Sequence, residues 1–179
     1  MTVIDAQRLA NLLASAQNLS NGTADRGRFY EDVLEYLFSN VPGCQAQRNS
    51  LNQFISEEVD LSISNFREPD GLKMLPEIFL VECKNWSAPV DSAAVAFFAT
   101  KIRHRGCSLG VLVAANGVTG DPVQKTSAFH QASLSLFEGV KILLVTSDDI
   151  SKIATTQDFV SLLHKRFLDL HCAGTFTLA

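Results

Sequence analysis

Ile78–Phe79–Leu80–Val81–Glu82–Cys83–Lys84–Asn85–Trp86 is the stretch that decides how the chain is read. Its first half is an apolar run with the length of a buried strand, and its end carries two ionisable residues. Side chains alternate along a strand, so residues two apart share a face, and Glu82 and Lys84 point the same way. Burying a charge is costly unless it is paired, ligates a metal or does chemistry. The end of this strand is therefore the first candidate site.

Just upstream, Glu58–Val59–Asp60–Leu61–Ser62–Ile63–Ser64–Asn65 alternates cleanly. Val59, Leu61 and Ile63 share one face, and Asp60, Ser62 and Ser64 share the other. The turn chemistry of Arg67–Glu68–Pro69–Asp70–Gly71 joins this strand to the Ile78–Lys84 strand as a hairpin with a long loop. Were the two strands neighbours, Asp60, Glu82 and Lys84 would converge at one end of the sheet.

Further outward, Cys44–Arg48 is a weak strand candidate, and a helix is expected from about Ala24 to Asn40. Its apolar stripe is read as Phe29, Val33, Leu34, Tyr36 and Leu37, and Val41–Pro42–Gly43 ends it. Another helix covers about Val3 to Gln17, followed by a polar turn. Downstream the period becomes helical over Val90–His104, with Val95, Phe98 and Ile102 facing inward. Ser108–Ala115 reads as a buried strand, Asp121–Phe137 as a helix opened by Asp121–Pro122, Val140–Thr146 as the last strand and Thr156–Leu170 as the last helix. A hairpin region continuing into βαβ units predicts a three-layer α/β/α arrangement around a central mixed sheet.

The length of 179 residues suits one core and one domain, with residues 1–22 as N-terminal helix and turn, 24–154 as the core and 155–179 as C-terminal helix. No apolar stretch reaches membrane-spanning length and no signal-peptide pattern opens the chain, so the expected setting is soluble and cytoplasmic. The four cysteines lack zinc-site spacing and are expected to be reduced. A net charge of −4 gives no global attraction for nucleic acid, which would need a local basic patch or a metal.

Two carboxylates beside a lysine suit a hard cation such as magnesium, and phosphodiester hydrolysis fits these parts. Asp60, then Glu82–Cys83–Lys84 ending a hydrophobic strand, then a helix and the strand Gly110–Val111–Leu112–Val113, resembles the PD-(D/E)xK nuclease superfamily, closest to its Mrr-like restriction endonuclease branch. The resemblance spans about Arg28 to Ile150 and implies a restriction-endonuclease-like fold. It implies that Asp60 and Glu82 hold Mg2+, or Mn2+ in its place, with the Cys83 carbonyl as a further ligand. Lys84 would be the catalytic lysine, and Glu31, in Arg28–Phe29–Tyr30–Glu31, an outer ligand or an orienter of the cation's water. The literal Pro69–Asp70 also precedes Glu82, but Asp70 sits in turn chemistry, so Asp60 is the better ligand.

The basic run at the end of the Val90–His104 helix, with Lys101, Arg103 and Arg105, complements the negative end of its own helix or contacts phosphates. Trp86 is expected in the core, with stacking on a base at the mouth of the site as the alternative, and the four histidines show no ligand spacing. The implied activity is a magnesium-dependent endonuclease acting on DNA in restriction or anti-phage defence, as a homodimer or with a partnered or fused recognition module. A non-cleaving nuclease-like interaction or nucleic-acid-binding module and a junction resolvase are the alternatives.

Overall fold

The computed structural model describes residues 3–18, 20–51 and 58–177, so the predicted terminal segments 1–22 and 155–179 are seen within those bounds. Eleven elements are described: α1 (Ala6–Gln17), α2 (Thr23–Ser39), β1 (Cys44–Leu51), β2 (Glu58–Asn65), β3 (Ile78–Lys84), α3 (Ser92–His104), β4 (Leu109–Ala114), α4 (Ser127–Phe137), β5 (Lys141–Thr146), α5 (Ser147–Ser151) and α6 (Thr156–Ala173). The strands form one sheet in the order β1-β2-β3-β4-β5. β1, β2 and β3 pair antiparallel, whereas β3, β4 and β5 run parallel. This is the mixed sheet expected from a hairpin followed by βαβ crossovers.

Alternation along the strands divides the interior in two. Leu61, Ile63, Phe79, Val81, Val111, Val113, Leu143 and Val145 face a core completed by α1, α2, α5 and α6. Leu80, Leu112, Ala114, Ile142 and Leu144 face a second core completed by α3 and α4. With helices on both sides, β4 is buried at every position, which explains why its sequence is a continuous apolar run. Among the described residues no helix is long and apolar enough to cross a membrane.

Several boundaries differ from the sequence reading for identifiable reasons. The α2 stripe is Tyr30, Val33, Leu34, Leu37 and Phe38, a full i, i+3, i+4, i+7, i+8 set, while Phe29 and Tyr36 are only partly buried. α1 starts later than Val3 because the Asp5 carboxylate caps it, accepting from the Arg8 amide at 2.7 Å. Asp121–Pro122 opens no helix. Asp121 Oδ1 instead accepts from the amides of Val123 and Gln124, at 2.7 and 2.8 Å, closing a turn, and α4 begins at Ser127. α5 escaped the apolar period because it has five residues, yet Thr146 and Asp149 form a reciprocal capping box at its start.

One packing detail positions the site. A Cβ built on Gly110 of β4 would lie 2.5 Å from Ile102 and 2.6 Å from Phe98, both on α3. The missing side chain lets α3 lie close on the sheet, and that helix carries Lys101.

Candidate active site

The β2–β3 register runs from Ser64↔Ile78 to Leu61↔Val81, and one step further Asp60 would face Glu82. Here a side chain takes over from the ladder: the Cys83 amide donates to Asp60 Oδ2 at 2.6 Å. That bond fixes the Asp60 carboxylate against the β3 backbone. Val59 packs with Leu80 in the second core rather than with Leu61 and Ile63 in the first. The strict alternation read from the sequence therefore ends where β3 stops constraining the pleat of β2.

Glu82 is buried, and its carboxylate has two ammonium partners. Lys84 Nζ donates to Oε1 at 2.8 Å, as their shared face predicts. Lys101 Nζ reaches in from α3 and donates to Oε1 at 2.8 Å and to Oε2 at 2.9 Å, with a third bond of 2.7 Å to the Glu58 carbonyl. All three ammonium donors of Lys101 are thus used, and its side chain is only 7% exposed against 22% for Lys84. Lys84 Nζ also lies 5.7 Å from the centre of the Trp86 ring, which is exposed rather than buried in the core.

The electrostatics follow from burial. Asp60 is pushed up from 3.8 to about 7, first by loss of solvent and next by the negative charge of Glu82, while the Cys83 amide and the Lys84 ammonium pull it back. Glu31, projecting from α2, is raised mainly by burial, with Arg48 opposing, and its charge in turn raises both Asp60 and the Cys83 thiol. Burial is the main reason that the Cys83 thiol is held well above its ordinary value, which makes the sulfur inert at neutral pH.

Asp60, Glu82, Lys84, Cys83 and Glu31 therefore lie at one end of the sheet. Asp70 is exposed, in the loop at the opposite end of the β2–β3 hairpin. The basic run does not form one patch. Lys101 is buried on Glu82, exposed Arg103 pairs with Glu138, and Arg105 is half-buried. Helical geometry explains the split, because residues two apart lie on nearly opposite sides of a helix. The role of Lys101 was missed in the sequence, although its i+3 spacing from inward-facing Phe98 marks the inner face.

Among the described residues no three His, Cys, Asp or Glu side chains are grouped to hold an ion. The available set is two carboxylates with a neighbouring backbone carbonyl, all hard oxygen donors, and it fits a cation such as magnesium that keeps several waters. The upward push of Glu82 on Asp60 is the electrostatic cost that a shared cation would relieve.

Beyond Lys84, a pocket of about 230 Å³ opens at the C-terminal ends of the parallel strands. Its lining includes Arg26, Tyr30, Asn85, Asn116 and Ser147, and Tyr30 and Ser147 share a 2.6 Å hydrogen bond. Such strand ends are where open α/β sheets bind ligands.

A family model described as restriction endonuclease, Mrr_cat, matches residues 26–154, most of the chain. The chain belongs to the restriction endonuclease family. Membership makes it a restriction-endonuclease-like nuclease and implies DNA as its substrate. Members of the wider PD-(D/E)xK group generally use a divalent metal. The matched span includes Glu31, Asp60, Glu82, Lys84 and Lys101, so all five lie inside the family's region. No curated protein matches the chain.

Proposed function

We propose that the chain is a divalent-cation-dependent endodeoxyribonuclease, with Asp60 and Glu82 as cation ligands, the Cys83 carbonyl beside them, and Lys84 as the catalytic lysine. The observation that carries this reading is the Asp60–Cys83 hydrogen bond, which draws an aspartate onto the strand bearing Glu82 and Lys84 within a restriction endonuclease fold. Mg2+, or Mn2+ in its place, would supply Lewis-acid polarisation of a phosphoryl oxygen and activation of water.

The protein's own groups have distinct tasks. Asp60 is anchored through Oδ2 to a backbone amide, leaving Oδ1 to act as ligand. Lys84, the more exposed of the two lysines on Glu82, is the group able to reach a phosphate oxygen or the attacking water and to stabilise charge as the phosphorus becomes five-coordinate. Glu31 approaches from the other side on α2, where its raised proton affinity suits it to orient water. The pocket beyond Asn85, with Arg26 in its lining, would accept the next phosphate of the strand. A two-fold dimer would present one site to each DNA strand, and the biological setting proposed is restriction or another anti-phage defence.

The test is plasmid nicking with Mg2+ or Mn2+. The native protein is expected to cut, and Asp60→Ala, Glu82→Gln and Lys84→Met are each expected to lose at least about 100-fold in rate. Asp70→Ala should retain full activity. An Asp60→Ala protein as active as the native one would refute the site, and intact plasmid with every cation would refute the enzyme.

A further inference from the structure

Glu82 carries one negative charge and holds two ammonium groups, so the anion is over-neutralised before any divalent cation arrives. Lys101 dominates this arrangement. It bridges both carboxylate oxygens, while the carbonyl of Glu58, the first residue of β2, takes its remaining donor. The Phe97 ring lies 5.1 Å from the same nitrogen. The ammonium comes from a helix held tightly on the sheet by the contact at Gly110, so it is an integral part of the site.

We propose that Lys101 is a resident cation that competes with the divalent metal for Glu82. The inference rests on the metal-dependent reading above and adds that metal occupancy and the Lys101–Glu82 pair oppose each other. A second cation brought to Glu82 meets repulsion from an ammonium already at hydrogen-bonding distance, in a buried setting where screening is weak. The geometry adds to this, because Oε1 already accepts two hydrogen bonds and Oε2 accepts one, leaving a single lone-pair direction on the carboxylate. Full ligation by Glu82 therefore requires Lys101 to loosen its hold. Lys101 is accordingly a positioning residue that acts through Glu82.

The experiment is calorimetric titration of the metal-free full chain with Mn2+, without DNA, so the readout is occupancy rather than cleavage. Lys101→Met and Lys101→Gln are expected to bind Mn2+ at least about tenfold more tightly than the native protein, whereas Lys101→Arg, which keeps the charge, should bind like the native protein. The melting temperature of Lys101→Gln without metal should fall, and Mn2+ should restore it. Native-like or weaker Mn2+ affinity in Lys101→Gln would overturn the inference while leaving the metal-dependent reading intact. Absence of Mn2+ binding in the native protein and in all three variants would overturn both. If Lys101→Met does not fold, Lys101→Gln, which keeps a donor for Glu82, decides the matter.

Discussion

An aspartate held near neutrality, as Asp60 is at about 7, binds its proton more tightly in the folded chain than in the unfolded one, where 3.8 applies. The sign of the consequence is fixed by linkage. Between these two values the folded state holds more protons, so stability falls as pH rises from about 4 to about 7. In metal-free buffer, Asp60→Asn is expected to be more stable than the native protein at pH 8, on the order of 2 kcal/mol, with the gap closing toward pH 4. Urea denaturation at the two pH values measures this, and a gap independent of pH would show that the Asp60 charge is not its source. The residue pattern was legible to the extent that alternation and spacing reached. Glu82 and Lys84 were paired from their separation of two, and the structure places them 2.8 Å apart. The amide that anchors Asp60 and the ammonium that crosses from α3 could not be read, because both depend on where one element lies against another.

At the scale of elements, β4 and α3 make the closest approach around the site. Gly110→Ala places a methyl group against Phe98 and Ile102, both buried, and should cost about 1–3 kcal/mol in denaturant unfolding. An unchanged unfolding midpoint would mean that the helix yields freely, and the tight seating of Lys101 would go with it. The elements themselves were legible wherever period was strong. β2, β3, β4, β5 and α3 fall within a few residues of their expected bounds, because alternation and long apolar runs reflect burial directly. α4 starts at Ser127 rather than at Asp121, since Asp–Pro closes turns as readily as it opens helices. The edge strand β1, Cys44–Leu51, extends beyond its predicted end because backbone pairing with β2 holds it without an apolar pattern.

For the whole molecule, a net charge of −4 means that long-range attraction does not bring DNA to the surface. On the function proposed above, binding rests on local groups and on a cation between the carboxylates and the phosphate. Fluorescence anisotropy with a labelled duplex is expected to show weak binding in EDTA. Affinity should rise about tenfold or more with Ca2+, a hard cation that takes oxygen ligands, and fall steeply with added salt. Equal affinity with and without the cation would contradict this picture. The ends of the described chain show how far the fold depends on segments beyond the family's span. The Ile4 amide donates to the Thr156 hydroxyl at 3.0 Å, and the Asp5 amide to the Tyr36 hydroxyl at 2.8 Å, tying α1 to α6 and to α2. Leu9 and Leu13 on one side, and Phe159, Val160 and Leu163 on the other, close the same core that backs β2 and β3. A chain trimmed to residues 26–154 would lose both covers and leave Leu34, Phe38 and Phe79 open to water. The region matched by the family model thus carries the strands and helix that hold Asp60, Glu82 and Lys101, while one face of the core behind those strands is closed by α1 and α6 from outside it.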